Sequence, residues 1–261
     1  MGRNLSVVDL NSDMGEGFGQ WRMGDDDAML EVVSSANLAC GFHAGDPIIM
    51  TDLAAKARAR GVGIGAHPSF MDLWGFGRRQ IKGDSLADIE KMIAYQIGAL
   101  QATATLAGHK VGHVKPHGAL GNMAAVDFDL SLAICRAVKA VAPELIYIVL
   151  PNTELERAAA KAGLRIAREL YADRTYDDTG NLTPRKQPGA VIHDAEAAAA
   201  RVIEFVQDGA VRSTSGKRVP VAIDTICVHG DNPAAVGMAR LVRQRLEAAG
   251  LSIRPMAETL A

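Results

Sequence analysis

Polar side chains that can bind metal ions or move protons follow several short apolar runs of the chain. In NLACGFHAGDP, residues 37–47, an apolar run ends abruptly in His43 and Asp46, with glycines on either side. The same pattern recurs in DLNSD, GAHP, KPHG and HGDN, and a further apolar run ends in Asp173 and Arg174. The candidate catalytic residues from these segments are Asp13, His43, His67, Lys115, His117, Asp173 and His229.

Two chemistries fit these residue types. A carboxylate and two imidazoles from different strands can hold a divalent metal ion and leave positions free for water and substrate, and Asp13, His67 and His117 form such a set. Without a metal ion the same groups could act as general acid and base near neutral pH. Lys115 could then stabilise a developing oxyanion, or it could simply pair with a strand-end aspartate. The residues alone leave these alternatives open.

Arginines and one amide are candidates for substrate binding. Arg78 and Arg79 follow flexible glycines in GFGRR, and a long polar loop adds Arg174 and Arg185. Guanidinium groups can clamp a carboxylate or a phosphate, although exposed arginines often do no more than interact with water. Asn11 in DLNSD is the amide candidate. The chain contains no G-x-x-x-x-G-K-[ST] motif, so a nucleotide cannot be held by a P-loop here.

Some polar residues have simpler explanations. Asp46 precedes Pro47, which predicts a helix N-cap followed by proline in the first turn. Asp25, Asp26 and Asp27 together are typical of a helix start, where carboxylates are favoured by the helix dipole. A single such residue needs no functional explanation, but imidazoles and carboxylates at strand after strand favour one shared polar site.

The elements that would position these side chains alternate along the chain. Short β-branched runs predict strands at residues 6–10, 37–40, 62–65, 112–114, 145–150, 165–170 and 222–228. Alanine-rich segments of helical period predict helices at residues 25–33, 47–60, 85–107, 127–141, 153–162, 194–207 and 233–249. Seven βα units with no G-x-G-x-x-G motif favour an irregular TIM-like (β/α)7 barrel, in which the strand ends converge on one face.

Three connecting segments stand out. Residues 68–84 and 172–193 are too long and too polar to be simple connections, and loops of this length are usually functional or mobile. Residues 209–220 contain Ser-Thr-Ser-Gly between two apolar pairs, which predicts a small hairpin. No linker or low-complexity stretch divides the sequence, so we expect residues 1–261 to form a single barrel domain.

Composition excludes several classes of partner. The chain has 261 residues, 48% of them hydrophobic, and its 28 basic side chains are balanced by 30 acidic ones. This balance provides no basic surface for nucleic acid, and no run approaches the roughly 18 apolar residues of a membrane span. The start MGRNLSVVDLN is too short in apolar length for a signal peptide. With three cysteines and no CxxC, we expect a cytoplasmic protein with buried structural thiols.

Six long strings give the chain a resemblance to a known family. DLNSDMGEGFG, NLACGFHAGDP, GAHPSFMDLWGFGRR, VKPHGALGNMA, ADRTYDDTGNLTPR and VHGDNP occur in this order between about Val8 and Asn232, and together they resemble the LamB/YcsF family. The resemblance implies a barrel of the glycoside hydrolase/polysaccharide deacetylase type. It also implies hydrolysis of the lactam of 5-oxoproline to L-glutamate, with ATP cleaved to ADP and phosphate, in complex with two partner subunits.

A more distant resemblance concerns the metal. NSDMG is similar to the Asn-Ala-Asp-Asp-Phe-Gly opening of YdjC-type sugar deacetylases, and GAHP and KPHG lie near their two metal-ligand histidines. The resemblance implies ligand positions for Asp13, His67 and His117, although this chain has one aspartate where that motif has two. Two alternatives therefore stay open: a stand-alone metal-dependent amidohydrolase or deacetylase, and a non-catalytic subunit that presents 5-oxoproline to a partner.

Overall fold

The computed structural model describes residues 6–260, in which strands and helices alternate. The strands are β1 (Val7–Met14), β2 (Ser35–Ala39), β3 (Gly63–His67), β4 (Val111–Val114), β5 (Ile146–Val149), β6 (Ile166–Tyr171), β7 (Ala210–Arg212), β8 (Arg218–Pro220), β9 (Thr225–Cys227) and β10 (Ser252–Ile253). The helices are α1 (Asp26–Leu30), α2 (Pro47–Ala59), α3 (Leu86–Leu106), α4 (Gly118–Ala124), α5 (Phe128–Val141), α6 (Glu154–Ala162), α7 (Ala195–Asp208), α8 (Pro233–Ala248) and α9 (Met256–Thr259).

Seven parallel strands within residues 6–260 close into a barrel. The strand order is β1-β2-β3-β4-β5-β6-β9, and β9 pairs back to β1. The short strand β10 pairs with the start of β1, while β7 and β8 form a separate antiparallel hairpin. The irregular (β/α)7 barrel and the hairpin near residues 209–220 are therefore both confirmed.

The first strand is the main correction to the predicted elements. We expected it to end at Leu10, but β1 continues to Met14, and residues 11–14 pair in parallel register with β2. The polar side chains of Asn11 and Asp13 look like a loop in the sequence, yet they lie inside a strand because the barrel interior is itself polar. Helix α1 is shorter than predicted, and α4, α9 and β10 were not predicted.

Capping explains the start of α2. The Asp46 carboxylate accepts hydrogen bonds from the backbone N–H groups of Ile48 and Ile49 at 2.8 and 2.9 Å, and Pro47 occupies the first turn. Its second oxygen accepts from Gly19 N at 2.8 Å and so anchors the loop after β1. The predicted cap is confirmed, and Asp46 has a structural role.

The barrel has two apolar regions of different size. The larger one fills the space between the strands and the outer helices and includes Leu10, Leu38 and Ile64, all with 0% exposure. The smaller one contains Ile146, Ile148, Ala167 and Met256. Met256 is the first residue of α9, which contacts β1 and β4. Apolar packing therefore stabilises the barrel from outside, and a small apolar cluster involving α9 accompanies it.

Two further sequence expectations concern membranes and cysteines. Between residues 6 and 260 we find no helix that combines the length and the apolar character needed to cross a membrane. Cys40, Cys135 and Cys227 are all buried and unpaired by disulfides, as predicted.

Gly65 offers a sharp test of the packing inside the barrel. A Cβ added at Gly65 would lie 2.0 Å from His113 Cδ2, a distance that real Cβ contacts do not show. We expect Gly65→Ala to lower the free energy of unfolding by about 1–3 kcal/mol or more because the core becomes overpacked. Urea unfolding measures this loss.

Gly98 in α3 provides the matched control. Apart from neighbouring backbone of α3 itself, no atom lies within 4 Å of a Cβ built there, so Gly98→Ala should raise stability by about 0.5–1 kcal/mol through helix propensity. If the clash with His113 is the cause, Gly65→Ala should cost little in a His113→Ala background. An equal cost in both backgrounds would contradict the explanation.

Candidate active site

Alternate residues of the barrel strands deliver the polar side chains. Because successive side chains of a strand point to opposite faces, residues two apart share the interior. The side chains that meet inside or at the end of the barrel in this way are Asp9, Asn11 and Asp13 from β1, Ser35 and Asn37 from β2, His67 from β3, His113, Lys115 and His117 from and after β4, Glu169, Tyr171 and Asp173 from and after β6, and Thr225, Cys227 and His229 from and after β9.

Lys115 is the central cation of this interior. Its Nζ lies 2.8 Å from Asp13 Oδ1 and 2.8 Å from Glu169 Oε1, and its side chain is only 3% exposed. Burial alone would lower the pKa of Lys115, but the charge of Asp13 and other nearby acidic groups raises it well above the usual range. Pro116 restricts Lys115 to extended backbone, which helps to keep it in line with β4. Lys115 is therefore held as an ammonium ion.

A layer of hydrogen bonds beneath Lys115 fixes Asp13. Asn37 Nδ2 donates to Asp13 Oδ1 at 2.9 Å and to Asn11 Oδ1 at 2.8 Å. The side-chain oxygen of Asn37, Oδ1, lies 2.8 Å from His113 Nε2. Because an amide oxygen only accepts hydrogen bonds, His113 Nε2 carries the ring proton and donates it. Burial lowers the pKa of His113 to about 3. The ring is therefore neutral near pH 7, and Asn37 couples three strands through polar contacts.

Asp9 terminates this network deep in the barrel. Its carboxylate accepts hydrogen bonds from Ser34, Ser35 and Thr225, at 2.8, 2.6 and 2.5 Å. Burial raises the pKa of Asp9 to about 6 although these bonds favour the ionised form. Asp9 has no exposed surface, so it supports the site from below and does not meet substrate.

His67 and His117 form a pair with a defined arrangement of protons. His67 Nδ1 lies 2.7 Å from the Lys115 carbonyl oxygen, and His117 Nε2 lies 2.9 Å from the Phe76 carbonyl oxygen. Carbonyl oxygens only accept hydrogen bonds, so both of these ring nitrogens carry protons. The two remaining nitrogens, His67 Nε2 and His117 Nδ1, face each other at 3.0 Å. If both rings are neutral, two lone pairs are in contact, and the pair calls for a positive charge between or beside them.

Two carboxylates border the position where such a positive charge would lie. Asp13 Oδ2 is 3.4 Å from His67 Nε2, and Glu16 Oε1 is 3.2 Å from His117 Nδ1. Burial would raise the pKa of Asp13, but its interactions with His67 and the Lys115 ammonium hold it well below its usual range. Burial would raise the pKa of Glu16 as well, but its contacts with His117 and His43 hold it below its usual range. Both carboxylates are therefore ionised near neutral pH.

His43 packs over the pair. Its ring stacks on that of His117, with centroids 3.8 Å apart and planes 10° from parallel, and its Nε2 lies 3.3 Å from Glu16 Oε1. Burial lowers the pKa of His43 to about 3, so the ring is neutral and donates Nε2–H to the carboxylate. The loop after β3 packs against these rings at Gly77, which has a φ of +62°. A Cβ at Gly77 would lie 2.8 Å from His117 Cδ2, so only glycine fits there.

A second imidazole and carboxylate pair comes from the ends of β6 and β9. His229 Nδ1 lies 2.8 Å from Asp173 Oδ2. One ligand atom each of Asp13, Cys227 and His229 lie within 4.8 Å of one another, so this pair borders the same site. The Cys227 thiol has a pKa raised well above its usual range by burial, and it therefore does not act as a thiolate.

The predicted catalytic residues are thus brought together, but the predicted substrate-binding residues are mostly not. Asn11 is fully buried, and its amide is engaged by Thr225 and Asn37, so it supports the site and does not line it. The Arg174 guanidinium is buried and donates to the carbonyl oxygens of Thr183 and Ala190 within its own loop. Both side chains are thus bound within the protein, and their expected role in direct substrate contact stays a prediction.

The remaining predicted arginines differ in whether their guanidinium groups are already bound by a carboxylate. Arg79 pairs with the buried carboxylate of Asp72 and so fixes the loop after β3. Arg78 lies over the ring of Phe76, 4.9 Å from its centroid, and Phe76 in turn contacts His117 edge-on. Arg185 is exposed, and its charge helps to lower the pKa of Asp173. Arg78 and Arg185 therefore remain the candidates for binding an anion near the histidines.

The donor set of the site fits a divalent cation. Two imidazoles present lone pairs to each other while their outer nitrogens donate to backbone carbonyls, which is how metal-binding histidines are usually oriented. Two ionised carboxylates complete a set that suits zinc and similar metals. His67 and His117 form one metal-compatible group with Glu16 and His43, whereas Asp13 groups with Cys227 and His229 and reaches the first group through His67, 3.4 Å away. The ligand role of Asp13 stays a prediction.

Two carboxylates of the site were not predicted from the sequence. Glu16 lies two residues beyond β1, between Gly15 and Gly17, and Glu169 lies within β6. Glutamate between glycines in DMGEG was the one available signal for Glu16, since it indicates a polar group on a tightly turning loop. Nothing in the sequence distinguishes Glu169 from an exposed strand residue, because its partner Lys115 is distant in the chain.

Fold and site together define a TIM-like barrel of the polysaccharide deacetylase type, with a polar, metal-compatible centre at the carboxyl ends of its strands. A T48 deacetylase with substrate has the same fold, with a TM-score of 0.52 and 13% identity over 98% of this chain and 90% of that one. The sequence model of the LamB/YcsF family matches residues 8–261. The chain belongs to this family.

Closer relatives carry more specific names. The 5-oxoprolinase A-subunit from Rhodopseudomonas palustris (strain BisB5) is 56% identical over 250 residues, which cover 96% of this chain and 98% of the relative. The crystal structure of a lactam utilization protein from Thermus thermophilus is 46% identical, with a TM-score of 0.90, and the match covers 95% of this chain and 99% of that one.

The His229 and Asp173 pair predicts a pH dependence of stability. Burial alone would lower the pKa of His229, but the charge of Asp173 raises it above the ordinary value of about 6.5. The folded protein therefore binds this proton more tightly than the unfolded chain does. The resulting stability is complete below the unfolded pKa and is lost as pH rises through the folded one.

We expect His229→Gln to remove this part of the pH dependence. Urea unfolding between about pH 6 and about pH 9 should show a smaller decline in stability with pH for the variant than for the wild type. His193→Gln, at an exposed histidine, is the control and should keep the wild-type decline. Parallel curves for wild type and His229→Gln would refute the ion pair.

Proposed function

We propose that this chain is a subunit of an ATP-dependent 5-oxoprolinase. In this proposal the lactam of 5-oxoproline is hydrolysed to L-glutamate, ATP is cleaved to ADP and phosphate, and the chain acts in the cytoplasm with two other subunits. The observation that carries the proposal is the strand-end cluster of Asp13, Lys115, His67 and His117, in a chain that is 56% identical to a 5-oxoprolinase A-subunit.

Lactam hydrolysis demands a site that can activate water. An amide carbonyl is stabilised by resonance and is a poor electrophile, so transfer of a phosphoryl group from ATP to the lactam oxygen activates its carbon. Water then adds to that carbon and the C–N bond breaks, which leaves an acyl phosphate. A second water molecule hydrolyses the acyl phosphate to the glutamate carboxylate and phosphate. Asp13 is placed to accept the proton of the attacking water, because Lys115 keeps its carboxylate ionised and Asn37 fixes its orientation. His67 Nε2, 3.4 Å from Asp13 Oδ2, can take the proton onward.

Ring opening also requires a proton for the lactam nitrogen. His229 suits this step because Asp173 binds its Nδ1 and raises its pKa, so that the imidazolium is available near neutral pH. The Asp173 carboxylate also fixes the ring orientation, which leaves the other ring nitrogen to act as the donor. Lys115 contributes positive charge close to Asp13.

A divalent cation fits between the carboxylates and the histidine pair, and Asp13, His67 and His117 would hold it. When bound there, such an ion supplies Lewis acidity toward a carbonyl oxygen and lowers the pKa of a coordinated water molecule. Such an ion would take up Asp13 Oδ2 and His67 Nε2, so the proton transfer between these two atoms belongs to the site without an ion. The proton donated by His229 is independent of the ion.

The anionic groups of the substrates need cations at the rim of the site. Arg78 and Arg185 are exposed and lie near Phe76 and Asp173 respectively. Their guanidinium groups can bind the carboxylate of 5-oxoproline or a phosphate through paired N–H donors. We assign no ATP site to this chain.

Partner subunits are supported by the surface around the strand ends. Trp21, Met71 and Trp74 are 74%, 68% and 96% exposed on the loops that follow β1 and β3. Tryptophan and methionine are enriched in the centres of protein interfaces, and a group of exposed apolar side chains favours an interaction surface. A partner bound there would sit beside the histidine cluster.

The metal-compatible cluster also favours a second candidate function, a stand-alone metal-dependent amidohydrolase or deacetylase. The two proposals differ in what the lone chain can do. Hydrolysis of 5-oxoproline by this chain with added Zn²⁺ or Mn²⁺ and no ATP supports the second. Release of glutamate only when ATP and both partner subunits are present supports the first.

Asp13→Asn tests whether this chain performs the chemistry. The substitution keeps the size of the side chain and removes the anion that accepts a proton, so we expect turnover of the assembled complex to fall about 100-fold or more. Lys115 retains Glu169 as a partner, so the fold should persist. Glutamate release by the complex and circular dichroism of the variant measure the two effects.

Asp72→Asn is the control for a nearby carboxylate that anchors the Arg79 loop and lies outside the cluster. Near-normal turnover of a folded, assembled Asp13→Asn complex would leave the non-catalytic, substrate-presenting subunit as the better description.

Arg78→Lys tests recognition of the substrate anion. Lysine keeps the positive charge but loses the planar pair of donors, so the KM for 5-oxoproline should rise several-fold while kcat changes little. Arg79→Lys serves as the comparison, because the Arg79 guanidinium is already bound by Asp72. If steady-state kinetics change equally in both variants, or in neither, Arg78 has no specific role in binding.

A further inference from the structure

We propose that Glu16 is a fourth ligand for the divalent cation that Asp13, His67 and His117 would hold, and that His43 orients it. This assignment deepens the proposed function and takes its catalytic meaning from it, yet binding of the ion can be measured without lactam or ATP.

The separations between donor atoms match a single ion. Donor atoms bound to one ion at about 2.1 Å are about 3.4 Å apart in a tetrahedral site, and no two of them can be more than about 4.2 Å apart. His67 Nε2 and His117 Nδ1 are 3.0 Å apart, with ring planes 88° from parallel. Glu16 Oε1 is 3.2 Å from the His117 nitrogen and 4.0 Å from the His67 nitrogen. The Glu16 carboxylate is therefore close enough to both ring nitrogens to bind the same ion.

His43 is close to the same donors but its orientation makes it a poor ligand. The lone pair of an imidazole nitrogen lies in the plane of the ring, and the rings of His43 and His117 are stacked 3.8 Å apart and nearly parallel. One ion cannot lie in both planes at bonding distance. His43 instead donates its Nε2–H to Glu16, 3.3 Å away, as outer hydrogen-bond partners of metal ligands do.

The backbone on both sides of Glu16 is fixed before any ion binds. Gly15 N donates to Asp26 Oδ2 at 3.1 Å, and the Gly17 carbonyl oxygen accepts from Gly45 N at 2.7 Å. A Cβ at Gly17 would lie 2.6 Å from the Trp21 carbonyl oxygen, so the turn is tightly packed. Glu16 is therefore held toward the histidines by its loop as well as by its own contacts.

Asp13 and Glu16 differ in how they are neutralised. One oxygen of Asp13 already accepts from Lys115 and Asn37, so only Oδ2 remains for an ion. In the described part of the chain, Glu16 makes its ionic contacts with imidazoles alone. A divalent ion would therefore rely on Glu16 for much of its charge balance.

The experiment titrates Co²⁺ into the purified full chain after removal of metals by a chelator. Visible absorption reports the ligand set of Co²⁺, and competition with Zn²⁺ gives the affinity. We expect Glu16→Gln to weaken binding at least about 10-fold to 100-fold and to shift the absorption bands, because a ligand is lost. His43→Gln should weaken binding about 10-fold and leave the bands in place, because only an outer partner is lost.

Two further variants keep the result interpretable. Glu247→Gln removes an exposed carboxylate of α8 that pairs with Arg243 and lies outside the site, and its Co²⁺ affinity and spectrum should match the wild type. Glu16→Asp retains the charge and should bind more tightly than Glu16→Gln. Thermal unfolding of each metal-free variant shows whether the fold has survived.

Several outcomes would overturn the assignment. A folded Glu16→Gln chain with the wild-type spectrum and affinity excludes Glu16 as a ligand. Failure of the wild-type chain to bind Co²⁺ or Zn²⁺ means that a proton supplies the positive charge between the histidines. Neither outcome bears on lactam hydrolysis, whose failure appears separately as absence of glutamate release by the wild-type complex.

Discussion

The ion pairs of Lys115 with Asp13 and Glu169 are the interaction on which the rest of the site depends. They join β1, β4 and β6 across the interior of the barrel, at 2.8 Å in each case. Removing one partner from a buried pair typically costs about 3–5 kcal/mol, because a charge is left uncompensated. Such a contact adds little stability relative to apolar packing. Its effect here is to fix an ionised Asp13 beside His67.

The barrel separates the task of folding from the task of chemistry. Apolar side chains on the outward faces of the strands pack against the helices and supply most of the hydrophobic stabilisation. The inward faces are thereby free to carry Asp9, Asn11, Asn37 and their partners, each with its hydrogen bonds satisfied by a neighbouring strand. Buried polar groups lower stability unless they are paired, which explains why the hydrogen-bonded layer reaches from Asp9 up to Asp13.

The same division explains what the sequence could and could not predict. The alternation of apolar runs and helical segments is local, so the barrel and most elements were predictable, as were His67 and His117 at the strand ends. The end of β1 was not, because Asn11 and Asp13 are polar for a reason that lies in β2 and β4. Glu169 and Arg174 show the same limit. Whether a charged side chain faces the site or satisfies its own loop depends on contacts made across the barrel.

The charge of the site constrains what can bind there. Asp13, Glu16, Glu169 and Asp173 are four carboxylates, against the cations Lys115 and His229, while His43 is neutral. Two negative charges therefore remain before any charge on the His67 and His117 pair is counted.

An anionic substrate such as 5-oxoproline would be repelled by this excess. A divalent cation among the carboxylates would neutralise it, and the rim arginines Arg78 and Arg185 would then suffice to attract the substrate carboxylate. In the proposed function, a cation at the centre and guanidinium groups at the edge would therefore act in the same direction, and a bound ion would favour binding of an anionic substrate without being needed for the fold of the site.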